Sequence, residues 1–211
     1  MKKELKLSLL SAAIVVVFIV LDQIIKIWIK THLMISEHIS VLGNWFYLYF
    51  IENEGMAFGL SLGENAGKLM LTIGRVIIVG LLVCYIIRLI KKQKIDFLGV
   101  TVLSLIVAGA LGNIVDCLFY GLIFSESTPE VLATLFPLQG GYAPFLYGRV
   151  VDMFYFPLFQ LPDWFPLWGG EYFFPAIFNL ADCCVTVGIV LALVFYKRVL
   201  PDTKQEEVSS K

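Results

Sequence analysis

The sequence predicts an all-α membrane protein with four transmembrane helices, a small extracytoplasmic β-sheet and an interfacial loop/helix region. Three observations carry this fold class. Of 211 residues, 59% are hydrophobic and 16% charged, with a mean hydropathy of +0.84. A soluble domain carries about 25% charged residues, so this chain needs a solvent other than water. Four apolar stretches are long enough to cross a hydrocarbon core of ~30 Å, which takes about 20 helical residues. Lys and Arg gather on what would be one side of those crossings, as the positive-inside tendency requires.

The first span is placed at about 7–29. Leu7 to Leu21 is uncharged and runs on into Asp22-Gln-Ile-Ile-Lys26. A basic tip before an apolar run also opens a cleaved signal peptide. Here no small-x-small site follows, so the segment reads as a retained first helix. The second span, about 69–88, carries Arg75 alone; the third, about 97–118, is uncharged as far as Val115. The fourth, about 176–197, carries Asp182. Residues 1–200 are expected to form a single integral membrane domain, with 201–211 a polar, disordered cytoplasmic tail.

Four crossings put eleven of the sixteen Lys and Arg on one face, in the N-terminus, the 88–94 connection and the C-terminal tail. Both termini are then cytoplasmic, and loops of about 30–68 and 119–175 face outward. In the first loop, Ile39 to Ile51 is aromatic and β-branched around a Gly43-Asn44 turn signal, which predicts a β-hairpin on the membrane face. In the second, Phe154 to Phe159 and Trp164 to Trp168 read as interfacial segments, because aromatic rings favour the headgroup level.

The polar residues of the spans are not scattered. Asp22 and Lys26, Asn113 and Asp116, and Asn179 and Asp182 all fall at outer helix ends, and Arg149-Val-Val-Asp152 lies just before the fourth span. Ionisable groups in a membrane cost several kcal/mol and mark function or tight pairing. Asp22 and Lys26 have the favourable i,i+4 order for an ion pair that sets helix register. Each Asn-x-x-Asp unit sets an amide beside a carboxylate, where it can donate and hold the rotamer.

Two carboxylates close together in a low dielectric do not both ionise, so one can serve as base on a water and the other as acid. The candidates are Asp152 and Asp182, with Asp116 the third; the residues alone leave the choice open. Other chemistries find less support. His32 and His38 are far from any cysteine, so neither a metal nor another cofactor is called for, and neither Cys117 nor Cys183 has a neighbouring histidine to activate it. Cys84, Cys117, Cys183 and Cys184 read as small apolar fillers. Neither a phosphate-binding glycine loop nor a basic nucleic-acid surface is present. A proton-coupled transporter built on intramembrane carboxylates is the main alternative, and a non-catalytic lipid-binding scaffold the third.

At these residues the chain resembles bacterial lipoprotein signal peptidase. Five motifs occur in order: Asp22-Gln-x-x-Lys26; Asn53-Glu-Gly55-Met-Ala-Phe58; Gly109-Ala-Leu-Gly-Asn113-Ile-Val-Asp116; Val150-Val-Asp152-Met-Phe154; and Phe178-Asn179-Leu-Ala181-Asp182. The resemblance implies an intramembrane aspartic endopeptidase of the bacterial cytoplasmic (inner) membrane. It would remove the signal peptide of diacylglyceryl-modified prolipoproteins, cutting before the lipidated Cys, without cofactor. It maps the catalytic pair onto Asp152 and Asp182, and a structural, substrate-facing pair onto Asp22 and Lys26. Asn53, Gly55, Asn113, Asp116 and Asn179 match positions that shape the site and bind substrate. A monomer in contact with membrane lipid and sensitive to globomycin-type inhibitors is expected by the same analogy.

Two departures stand out. The family usually carries Arg after the third-helix Asp, and this chain has Cys117; Arg149 is the replacement cation the sequence offers. The stretch from about 121 to 148 is longer than the family's connection and is expected to form an added interfacial hairpin over the site.

Overall fold

The structure, a computed structural model, describes residues 2–54 and 64–200. Gly55 and Phe58 of the second motif, and the tail from 201, lie outside the described residues. The elements in chain order are α1 (Lys3–His32), β1 (His38–Leu42), β2 (Phe46–Asn53), α2 (Glu64–Lys91), α3 (Phe97–Val115), a π-helical turn (Asp116–Tyr120), α4 (Gly121–Ile123), β3 (Val150–Tyr155), β4 (Ile177–Phe178), α5 (Leu180–Val194) and α6 (Tyr196–Val199). Among the described residues, three helical stretches, Lys3–His32, Ala66–Lys91 and Phe97–Ile123, are long and apolar enough to cross a membrane. The protein is membrane-embedded.

The chain divides into two compact units. The described residues of one are 2–21, 74–112 and 180–200. Within it Asp96 opens α3 as an N-cap, its Oδ1 accepting the Gly99 N–H at 2.8 Å, and its other oxygen pairs with Arg198 at 2.7 Å. Helices α3 and α5 meet at small residues: a Cβ on Gly109 would stand 2.2 Å from the Ala181 carbonyl oxygen, and one on Gly188 2.5 Å from Ile106. Small residues let membrane helices approach until backbones touch, where packing replaces the missing hydrophobic drive. Ser11 and Ser104 add a 2.7 Å hydroxyl pair between α1 and α3.

The sequence expected a fourth helix over about 176–197, but α5 has fifteen residues, Leu180–Val194. Its length is about 22 Å at ~1.5 Å per residue. The reason is local: Ile177 and Phe178 pair with Tyr155 and Phe154 as β4, so the helix begins only after Asn179. Cys117 and Cys184 are both buried.

The described residues of the other unit are 22–54, 64–73 and 113–179. Its centre is a four-stranded antiparallel sheet of order β1-β2-β3-β4. The β1–β2 hairpin turns where the sequence placed it, with Gly43 at φ +53°, a conformation that suits glycine. Phe50, Val151 and Met153 on one sheet face pack with Ile29 and Leu33 of α1 and with Tyr120 and Phe124. Since strand side chains alternate, this core turns Asp152 to the opposite face. Residues 121–148 fold back on the π-helical turn: Ala143 N–H bonds Gly121 O at 3.0 Å and Gly148 N–H bonds Cys117 O at 2.9 Å. Beyond β3, Gln160 bridges Tyr172, and Trp164, Leu167 and Trp168 are exposed.

Candidate functional site

The sheet unit gathers most of the polar motif residues around two lysines of α1. Asp22, Lys26 and Lys30 recur every four residues, so they share one helical face, and all three are buried. Lys26 Nζ donates to Asp22 Oδ2 at 2.9 Å, to Asp116 Oδ2 at 2.7 Å and to Asn113 Oδ1 at 2.8 Å. The predicted i,i+4 pair is present, with a third-helix carboxylate added. Asp116, fully buried, also accepts the Gln23 amide at 2.8 Å and the Val151 N–H at 3.3 Å. Gln23 in turn accepts the Tyr120 hydroxyl at 3.0 Å. Asp116 is thus occupied as an acceptor by Lys26, Gln23 and the β3 backbone.

Asp152 sits mid-strand on β3, paired with Ile51 of β2 and 2% exposed. Its two oxygens take different amides. Asn179 Nδ2 donates to Oδ1 at 2.6 Å, and Asn53 Nδ2 to Oδ2 at 3.3 Å. Asn179 also reaches Asn113 Oδ1 at 3.1 Å, and that oxygen is the one Lys26 holds. A continuous set of bonds therefore runs from Lys26 through Asn113 and Asn179 to Asp152. Position decides this: β3 carries Asp152, the β4–α5 junction carries Asn179, and the end of α3 carries Asn113. Asp182 lies in the first turn of α5, in the helical unit, half-buried.

Arg149 is directed elsewhere than to Asp116. Its Nε donates to Glu54 at 2.8 Å, and its Nη1 to Glu52 at 3.3 Å and Glu126 at 3.2 Å, with the guanidinium over the Tyr142 ring at 5.2 Å. The cation at Asp116 is Lys26, reached from α1 rather than from the position Cys117 occupies. Burial disfavours the guanidinium charge, but bonds to Glu54 and Glu52 outweigh it and raise the Arg149 pKa. For Glu54, burial alone would raise the carboxyl; the bonds and charges of Lys68, at 2.6 Å, and of Arg149 hold it below its ordinary value.

A second buried lysine, Lys30, pairs with Glu52 and donates to Ser127 Oγ at 2.7 Å. Its ammonium lies 5.0 Å from the Tyr142 ring centre and 5.3 Å from that of Phe124. Sequence reasoning missed Gln23, Lys30, Glu52, Ser127 and Tyr142. Two of them left a signal: Lys30 continues the Asp22–Lys26 face by one turn, and Glu52 is a charge within an aromatic strand. Among the described residues no group of His, Cys, Asp or Glu side chains is arranged to hold a metal ion.

The family model described as Signal peptidase (SPase) II matches residues 14–197. The lipoprotein signal peptidase of Porphyromonas gingivalis is 45% identical over 193 residues, covering 90% of this chain and 83% of that protein. That of Amoebophilus asiaticus is 35% identical over 182 residues, covering 83% and 72%. A solved bacterial membrane enzyme aligns with a TM-score of 0.58 at 27% identity, covering 92% of this chain and 94% of its own.

Proposed function

This chain belongs to the signal peptidase II family, and from that premise we propose that Asp152 and Asp182 are its catalytic pair. The chain is a protease that acts on lipoprotein precursors; the family relationship lends no support to a proton-coupled transporter. The substrate is a diacylglyceryl-modified prolipoprotein, cut before its lipidated Cys. One carboxyl keeps a proton and acts as acid on the leaving amine, while its ionised partner draws a proton from the attacking water. That chemistry requires neither a metal nor a covalent nucleophile.

The observation that supports this reading best is the grip on Asp152. A buried carboxylate facing away from the hydrophobic core, with one amide on each oxygen, is oriented for chemistry. Asn179, which supplies one amide, stands three residues before Asp182, so the same short segment carries both groups. Lys26, Asp22, Asn113 and Asp116 support it as a frame, and Gly55 is assigned to substrate binding by analogy with the family.

The remaining assignments follow from the same reading. A fourth crossing is made by α5, with α6 extending it. Both termini are cytoplasmic and the site lies near the outer face of the inner membrane, where the scissile bond of a lipid-anchored substrate arrives. Residues 1–200 act as one peptidase domain and 201–211 as a polar tail; the enzyme is monomeric and blocked by globomycin-type inhibitors. The test is cleavage of a lipidated prolipoprotein by the purified protein in detergent. Asp152→Asn and Asp182→Asn should each lower kcat by at least about 10²–10⁴, the usual contribution of acid–base catalysis, with unchanged melting. Full activity in either variant would remove that residue from the pair.

A further inference from the structure

Asp152 is held by two amide arms, and they are anchored differently. The Oδ1 arm runs through Asn179 and Asn113 to Lys26. The Oδ2 arm is Asn53, and Asn53 is exposed, the last residue of β2, and paired with Val150 at the final rung of the β2–β3 ladder. A terminal rung frays unless something closes it, because the last residues of a strand have neighbours on one side only.

Arg149, immediately before β3, supplies the closure. Glu52 and Glu54 flank Asn53, and within β2 strand alternation sends the Glu52 side chain away from the one that reaches Asp152. The guanidinium bonds both flanking carboxylates, Glu54 through Nε at 2.8 Å and Glu52 through Nη1 at 3.3 Å. A planar fork can span two acceptors in this way, whereas a lysine offers a single point of charge. The Arg149 backbone is itself fixed, its N–H donating to the Tyr142 hydroxyl at 2.7 Å. On the far side Glu52 is gripped by Lys30 and by the Ser127 hydroxyl at 3.0 Å. Lys30 lies one turn along α1 from Lys26, so a single helix anchors both arms.

We propose that Arg149, backed by Glu52 and Lys30, is a positioning residue that acts through Asn53, fixing its amide against the second oxygen of Asp152. This rests on Asp152 being catalytic. Arg149 acts on turnover and not on the charge of Asp116.

The experiment is a double-mutant cycle read by steady-state cleavage of a lipidated prolipoprotein, using Arg149→Gln, Asn53→Ala and the pair combined. Arg149→Gln should lower kcat by about ten- to hundred-fold, the scale of a reacting group displaced by ~1 Å or less, with KM changed less than about two-fold. Arg149→Lys should recover only part of the loss. The combined variant should be no slower than Asn53→Ala alone, because the arginine's effect passes through that amide. Losses that multiply, or an Arg149→Gln effect confined to KM, would overturn the proposal. Should Arg149→Gln fail to fold, Arg149→Lys takes its place in the cycle with the same two outcomes. Activity surviving in Asp152→Asn would instead strike the dyad reading, whatever Arg149 does, so the two failures are distinguishable.

Discussion

Replacing Lys26 by Met tests whether the buried frame beneath the site is an ionic structure or a chance alignment of polar groups. Met keeps the length and most of the volume of the lysine stem and removes its N–H donors. In the native chain those donors go to Asp22 at 2.9 Å, Asp116 at 2.7 Å and Asn113 at 2.8 Å, and Lys26 and Asp116 are fully buried. Loss of one partner from a buried pair leaves a charge that neither water nor protein compensates, at a cost of about 3–5 kcal/mol. For a chain of this length that is a fall in Tm on the order of 10 °C. The assay is thermal unfolding in detergent, followed by tryptophan fluorescence. Adding Asp116→Asn to Lys26→Met removes one stranded carboxylate and should recover at least half of the loss. A Lys26→Met variant that melts within about 1 kcal/mol of the parent would refute the reasoning, since a stabilising network of this kind cannot be broken so cheaply.

Other outcomes follow from geometry already described. Glu54 is held below its ordinary value of 4.5 by Lys68 and Arg149. A depressed folded-state pKa contributes stability that is present above the unfolded value and lost as pH falls through the folded one. Glu54→Gln should therefore lower Tm at neutral pH and change little in acid, which flattens the decline in Tm below about pH 4.5; an unchanged acid decline would show that this carboxyl is not its source. Gly109→Ala would place a Cβ 2.2 Å from the Ala181 carbonyl oxygen and 2.8 Å from Val185. Forcing the backbones of α3 and α5 apart should cost about 1–3 kcal/mol, read as a lower Tm, and a neutral result would mean that the two helices do not meet there.

The parts of the molecule legible in the sequence are those governed by local periodicity. An apolar run long enough to cross a bilayer reads as a helix wherever it falls, and α1, α2 and α3 are where it placed them. The β1–β2 hairpin was legible from Gly43 between two aromatic, β-branched runs. The Asp22–Lys26 pair was legible because i,i+4 spacing on a helix is itself a contact. The start of α5 was misjudged because hydropathy does not distinguish Ile177 and Phe178 as a strand end from the same residues as a helix start; pairing with β3 does.

The sequence by itself determined that this chain lives in a membrane, where its polar residues concentrate, and, through the order of five motifs, which family it belongs to. Only the tertiary structure decided how those polar groups divide their hydrogen bonds. Lys26 reaches Asp116 rather than stopping at Asp22; Asn179 spends its amide on Asp152; Arg149 serves two glutamates. Helix and strand periods are properties of neighbours in the chain, whereas an amide or ammonium with several acceptors in reach is committed only when packing fixes which one stands within about 3 Å.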